Sequence, residues 1–173
     1  MTDTAAKATT TTPIQVRKLG HLVYEVSDIE RTTEFWTEIL GFTVSDRNEL
    51  GMVFLRSAGD HHSIALVPSK KKARPPKDAG LRFHHLAMEV DSMDVLFRAR
   101  DFLRERGIPL DFEGRRGPGG NTGLEFEDPD GYLFEIYCDM DQVGADNKTR
   151  PHEQFDRVQS LEDSAARPLP KTY

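Results

Sequence analysis

Cysteine and long apolar runs are scarce in this chain. Its 173 residues include one cysteine, Cys138, so no disulfide can form within the chain and a disulfide scaffold is excluded. No apolar run approaches the ~20 residues that a membrane-spanning helix needs. Residues 1–12 are rich in threonine and alanine, without the apolar segment of a signal peptide. These absences predict a cytoplasmic protein that does not enter a membrane.

A surplus of positive charge is also missing. Lysine and arginine number 23 against 29 aspartates and glutamates, which gives a net charge of −6. Proteins that hold nucleic acids usually present a basic surface, so we expect a small-molecule partner and no nucleic acid. The apolar content of 37% suffices for one compact core.

Composition divides the chain into a central body with polar ends. A threonine-rich start predicts a disordered leader, and a polar, proline-bearing end predicts a tail. A basic stretch with paired prolines, SKKKARPPKDAG, predicts a solvated linker within the body. The expected organisation is a leader (1–16), a single domain (17–140) made of two modules (17–68 and 81–140) with a linker (69–80), and a C-terminal tail (141–173).

The two halves of the body repeat one pattern. His21-Leu-Val-Tyr-Glu-Val26 and His85-Leu-Ala-Met-Glu-Val90 share His, Leu, Glu and Val at equivalent positions, and both alternate as strands do. Each is followed by residues at helical spacing and then by further short strands. The sequence therefore predicts two βαβββ modules in an α+β fold.

Capping residues predict where the two helices begin and end. Ser27-Asp-Ile-Glu30 has capping-box spacing and Asp91-Ser-Met-Asp94 offers a similar polar start. Gly41 and Gly107 are the predicted ends. The remaining strands are predicted at 43–45, 51–56 and 63–67 in the first module, and at 110–112, 122–127 and 133–138 in the second.

Metal-binding side chains recur at corresponding strand positions. His21 and His85 open the first strand of each module, and Glu135 lies on the last strand of the second. A pseudo-twofold between the modules would bring these positions to one cavity. Two imidazoles and one carboxylate form the facial triad suited to non-haem Fe(II). The position matching Glu135 in the first module is Ala65, so the sequence predicts three protein ligands: His21, His85 and Glu135.

Four segments together resemble the vicinal oxygen chelate superfamily over about Lys18–Asp139. They are Gly20-His-Leu22, Glu38-Ile-Leu-Gly-Phe42, Phe83-His-His-Leu-Ala87 and Asp128-Pro-Asp-Gly-Tyr-Leu-Phe-Glu135. The metal-binding half of catechol 2,3-dioxygenase-type, ring-cleaving enzymes is most similar. The resemblance implies paired βαβββ modules that form a cupped eight-stranded mixed sheet around the metal. We also expect a homodimer or higher homo-oligomer.

The resemblance implies further catalytic residues, with departures. The family has a histidine beside the oxygen site, and alignment favours His62 here whereas strand alternation favours His61. The second module's usual His and Tyr are replaced by Arg116 and Glu125. Arg116 stands before a glycine-rich loop and is predicted to pair with a carboxylate or phenolate of the substrate. Glu125 is a candidate base near the metal.

These features predict an extradiol-type dioxygenase that uses O2 to cleave a small aromatic diol or a related oxygen-chelating substrate. Fe(II) is the expected metal, with Mn(II), Zn(II) or Ni(II) as alternatives. The alternative functions are a glyoxalase-like metal-dependent lyase or isomerase and a drug-binding resistance protein. The predicted pocket lining shares strand faces with the ligands and comprises Val23, Ala87, Leu133, Tyr137 and Glu125.

The tail carries its own pattern. Phe155, Val158 and Leu161 recur at three-residue spacing within residues 151–167, which predicts a short amphipathic helix lying on the body. A turn is predicted to restart at Ser160-Leu-Glu-Asp163. By analogy with the dioxygenases, the tail is expected to cover the pocket mouth.

Overall fold

A computed structural model describes residues 18–70, 83–143, 145 and 148–170. The predicted leader (1–16) and most of the predicted linker lie outside the described residues. Within the described ranges, no helix is long and apolar enough to span a bilayer.

The first module has the predicted βαβββ order. It consists of β1 (Leu22–Val26), α1 (Ile29–Glu34) with a π-helical continuation (Phe35–Ile39), β2 (Thr43–Arg47), β3 (Val53–Arg56) and β4 (Ile64–Pro68). The strands form a four-stranded sheet in the order β1-β4-β3-β2. β1 pairs with β4 in parallel, and the other pairs are antiparallel.

The second module repeats this arrangement. It consists of β5 (His85–Glu89), α2 (Met93–Glu105), β6 (Leu110–Arg115), β7 (Thr122–Glu127) and β8 (Leu133–Cys138). Its sheet has the equivalent order β5-β8-β7-β6, with β5 and β8 parallel. The paired-module α+β fold is thus confirmed. The eight strands form two four-stranded sheets, and in the described part of the chain no ladder joins them.

The start of α1 differs from the predicted capping box. Asp28 is the N-cap residue, and its carboxylate accepts hydrogen bonds from the backbone N–H groups of Glu30 and Arg31. Ser27 instead donates its backbone N–H to Asp130 of the second module at 2.7 Å. Asp28 satisfies the first N–H groups of α1 in place of Ser27. Ser27 is therefore available to bind Asp130.

One apolar core is shared by both modules. Trp36, on the helix of the first module, has its ring 5.1 Å from that of Phe134 on β8. Phe35 contacts Phe126 of β7 in the same way, at 6.3 Å. Because strand residues alternate between faces, Phe126 and Phe134 define a core face of the second sheet. The opposite surface, here called the ligand face, carries His85, Ala87, Glu125, Leu133, Glu135 and Tyr137.

The tail packs on the side away from the ligand face. Its helix, α3 (Leu161–Ala166), is shorter than the predicted 151–167 and is capped by Ser160, which starts it. Val158 forms an antiparallel bridge with Arg115 at the edge of β6, and α3 contacts α2. Leu161 belongs to the apolar core, and the expectation that the tail covers the pocket mouth stays a prediction.

Candidate metal centre

Two predicted ligands meet on the ligand face of the second sheet. Because β5 and β8 are parallel neighbours, Ala87 is in register with Glu135, and His85 is two residues away on the same face. His85 Nε2 lies 3.4 Å from Glu135 Oε2. The other ring nitrogen of His85, Nδ1, lies 2.7 Å from His84 Nδ1. An outer partner on Nδ1 leaves Nε2 directed at the carboxylate, an arrangement common among metal-binding histidines.

A second carboxylate stands beside Glu135. Glu125 on β7 is the direct register partner of Glu135 and is buried. Arg116 Nη2 lies 3.1 Å from Glu125 Oε2, and the guanidinium carbon of Arg116 lies 3.9 Å from the Phe112 ring centroid. Like charges directly opposite each other on neighbouring strands destabilise a sheet unless cations offset them. Arg116 provides one such cation.

Burial governs the protonation of Glu135. Desolvation raises the pKa of Glu135 above its ordinary value, and the charge of Glu125 raises it further. The positive charge of Arg116 and a hydrogen bond from Asn121 act in the opposite direction and lower this pKa. The carboxylate therefore lies where an added cation would be favourable, because burial penalises its charge.

The third predicted ligand lies elsewhere in the chain. His21 immediately precedes β1, and its ring centroid is 4.8 Å from that of His62. Across the described ranges, no three His, Cys, Asp or Glu side chains are grouped closely enough to hold a metal ion. His21 therefore does not join His85 and Glu135 within the described single chain.

In the first sheet, Ala65 occupies the position equivalent to Glu135. Val23 is in register with Ala65 as Ala87 is with Glu135. An alanine methyl cannot ligate, so at most three protein ligands can come from the equivalent positions.

His62 and His61 are placed differently. The ring of His62 lies between His21 and Phe54, whose centroid is 5.1 Å away. His61 is exposed, and its Nδ1 lies 3.1 Å from Nδ1 of His62. Burial lowers the pKa of His62, and the neighbouring His21 and His61 lower it further. Of the two histidines, His62 is the one whose ring contacts the predicted ligand His21.

A cavity of about 400 Å³ opens between the edges of β1 and β5. Of the predicted ligands and pocket residues, His21 and Ala87 line it, together with apolar side chains such as Leu86 and Met88. Val23 is half exposed on the first sheet. Leu133, Tyr137 and Glu125 are on the ligand face beside His85 and Glu135.

Sequence reasoning missed three residues around the half-site. His84 contacts His85, Phe112 packs on Arg116, and Asn121 donates to Glu135 Oε1 at 3.0 Å. Strand phase gave a signal for Phe112, because it is opposite Glu125 in the ladder. Asn121 gave none, since a loop residue's direction does not follow from periodicity.

Several known proteins are similar to this chain. Residues 18–136 match the model of the Glyoxalase/Bleomycin resistance protein/Dioxygenase superfamily. The chain is 26% identical over 134 residues to a manganese-dependent 2,3-dihydroxybiphenyl 1,2-dioxygenase of Geobacillus genomosp. 3, covering 76% of this chain and 39% of that protein. It is 27% identical over 126 residues to lactoylglutathione lyase GLX1 of Arabidopsis thaliana, covering 69% and 44%. The chain thus spans less than half of either relative's length.

Among solved structures, a glyoxalase/dioxygenase from Nostoc punctiforme matches with a TM-score of 0.60 and 23% identity, covering 78% of this chain and 99% of that one. At this identity the likeness concerns the fold alone.

Proposed function

We propose that this chain, which belongs to the Glyoxalase/Bleomycin resistance protein/Dioxygenase superfamily, is a metal-dependent dioxygenase of the extradiol type. The observation that carries the proposal is the half-site on the ligand face, where His85 Nε2 and Glu135 Oε2 lie 3.4 Å apart. With Ala65 at the fourth equivalent position, the proposed set is two histidines and one carboxylate. Such a set leaves coordination positions for a substrate and for O2.

The donors fit a divalent cation. An imidazole nitrogen and a carboxylate oxygen suit iron, manganese, zinc or nickel, and we propose Fe(II) with Mn(II) as the first alternative. A cation at this position would also offset the paired carboxylates of Glu125 and Glu135. When bound, the metal would hold two neighbouring substrate oxygens and lower their pKa.

The chain's own side chains would orient the substrate and move protons. Arg116 keeps a half-exposed guanidinium on the ligand face, over the Phe112 ring and paired with Glu125. It would direct a carboxylate or phenolate group of a small aromatic diol toward this face. His62, whose pKa is lowered by burial, would accept or donate a proton beside His21.

A second copy of the chain would complete the site. His21 immediately precedes β1 of the first sheet, and His85 begins β5 of the second sheet. Both β1 and β5 are edge strands of their sheets. Large apolar side chains are exposed near both half-sites, including Leu19 at 82%, Val23 at 47% and Phe83 at 46%. Pairing the first module of one copy with the second module of another would cover this surface and bring His21 to His85 and Glu135.

One observation favours a second candidate, a lyase or isomerase that uses the metal as a Lewis acid. Glu125 is a buried carboxylate next to Glu135 on the ligand face. A carboxylate in that position is suited to move a proton on a hydroxycarbonyl substrate without O2.

Oxygen consumption separates the two candidates. Protein loaded with Fe(II) under anaerobic conditions would be mixed with a panel of catechols and hydroxyquinones in an oxygen electrode. We expect stoichiometric metal binding and substrate-dependent O2 uptake, both lost in Glu135→Ala. Metal binding without O2 uptake on any diol would favour the lyase, and drug binding without metal would favour a resistance protein. His152→Ala, at an exposed histidine of the tail, is the matched control.

A further inference from the structure

The carboxylate of Glu135 has both oxygens engaged by side chains from different elements. Oε2 is directed at His85 Nε2, 3.4 Å away. Oε1 accepts a hydrogen bond from Asn121 Nδ2 at 3.0 Å. Because a carboxylate only accepts, the amide nitrogen of Asn121 must face it. The two contacts together fix the rotation of the carboxylate about its last bond.

The neighbouring strand leaves space for this orientation only because residue 123 is glycine. A Cβ on Gly123 would lie 2.5 Å from Glu135 Oε1 and 3.1 Å from the backbone oxygen of Ile136. Real Cβ atoms do not approach oxygens so closely, so any larger residue would displace the carboxylate. Gly123 therefore lets Oε1 turn toward the loop that carries Asn121.

The loop before β7 is held in place by contacts with the C-terminal tail. The backbone oxygen of Gly119 accepts from Asp141 N–H at 2.7 Å. Asp141 in turn forms a bidentate pair with Arg150, at 2.6 and 2.8 Å, and Arg150 donates to the backbone oxygen of Pro170. Gly120, with φ +65°, packs beneath Leu169. The C-terminal tail thus buttresses the loop that presents Asn121.

We propose that Asn121 is a positioning residue that fixes Glu135 as a ligand through Oε2, an inference that rests on the proposed metal site. Its hydrogen bond occupies Oε1 and leaves Oε2 on the side of His85. Outer partners of this kind typically change metal affinity by about 10- to 100-fold when they are removed. The tail acts on the same ligand indirectly, by holding the loop.

Titration of the full chain with Mn(II), followed by electron paramagnetic resonance, tests this role without any turnover. Asn121→Ala is expected to weaken Mn(II) binding about 10- to 100-fold, and Asn121→Gln, which keeps an amide donor, is expected to recover part of the loss. Asn48→Ala, at a loop asparagine that caps its own turn in the first module, is the matched control. Its Mn(II) affinity should equal that of the unaltered chain.

Gly123→Ala provides an independent steric test. Its Cβ is expected to push Oε1 away and to weaken Mn(II) binding even though Asn121 is present. Thermal unfolding of each metal-free variant shows whether the fold is retained.

The outcomes are distinguishable. Mn(II) affinity of Asn121→Ala within twofold of the unaltered chain, while Glu135→Ala abolishes binding, would overturn the role of Asn121 and leave the metal site standing. Unaltered Mn(II) binding in Glu135→Ala would overturn the metal site and this inference together. Weakened Mn(II) binding in Asn121→Ala would support the inference if the metal-free Asn121→Ala variant melts at the same temperature as the metal-free Asn48→Ala control.

Discussion

The two repeated histidines have different neighbours although their sequence positions correspond. His85 lies between His84 and Glu135, whereas His21 lies against His62. The first histidine of each His-His pair also differs. His84 contacts the predicted ligand His85, whereas His61 contacts His62, which in turn lies against His21. His84, which immediately precedes β5, is consequently a partner of the proposed ligand His85.

At the scale of single residues, His62 is the candidate for proton transfer. His62→Phe fills a similar volume but cannot exchange a proton. We expect full metal content with turnover slowed by roughly 10² or more, the usual loss for a general acid or base. Metal analysis and O2 uptake on the same preparation measure both.

His61→Phe is the paired control, because the ring of His61 is exposed and contacts His62. If turnover is slowed in His61→Phe but unchanged in His62→Phe, proton transfer would be assigned to His61. Normal rates in both would remove histidine from proton transfer and favour the lyase.

At the scale of elements, the turn between β7 and β8 (128–131) joins the two modules. Its Asp130 accepts hydrogen bonds from Ser27 and Arg31 of the first module. Asp128 accepts from the hydroxyl of Tyr24 at 3.1 Å, and that hydroxyl accepts from Trp36 Nε1. The turn therefore fastens the second module to the junction of β1 and α1.

Asp128 makes this fastening depend on pH. Burial raises its pKa to about 6, above the ordinary value of 3.8. A carboxyl with a raised pKa in the native state adds stability below its unfolded pKa, and that stability is lost as the pH rises through about 6. Between pH 4 and 7 the contribution should fall by on the order of 2 kcal/mol.

Asp128→Asn removes this titration. Urea unfolding at several pH values should show that the stability of the variant relative to the unaltered chain rises by about 2 kcal/mol from pH 4 to 7. Asp94→Asn, at the exposed start of α2, is the control for a generic loss of charge. A difference between Asp128→Asn and the unaltered chain that stays constant with pH would contradict the assignment.

The tail shows how tertiary contacts shorten a predicted element. Buried Arg115 donates to the backbone oxygens of Asp156 and Arg167, which flank the bridge residue Val158 and α3. The helix begins only at Leu161, after the bridge between Val158 and Arg115. The three-residue apolar spacing predicted the burial of Val158 and Leu161, but it did not distinguish a residue in a β-bridge from a helical one.

At the scale of the whole molecule, the proposed site requires two half-sites from different sheets. Mixing variants tests whether they come from two copies. His21→Ala keeps an intact second half-site and Glu135→Ala keeps an intact first one, so a mixed dimer would contain one complete site. Random pairing should restore about one quarter of the full metal content, measured after co-refolding.

A mixture of His85→Ala with Glu135→Ala is the matched control. Both changes fall in the same half-site, so no pairing of these copies completes a site. Equal failure of both mixtures, with dimers present in each, would show that His21 does not act across copies.

The amino-acid sequence by itself determined the modules, the helix and strand order, and the strand phase of His85 and Glu135. These features follow from local periodicity and from a repeat, which need no knowledge of distant partners. Tertiary structure alone decided that the turn joins the modules, that the tail packs on the core face, that Asn121 faces Glu135, and that His21 lies apart from the other ligands. Each of these depends on side chains brought together across the chain, and backbone periodicity carries no information about such contacts.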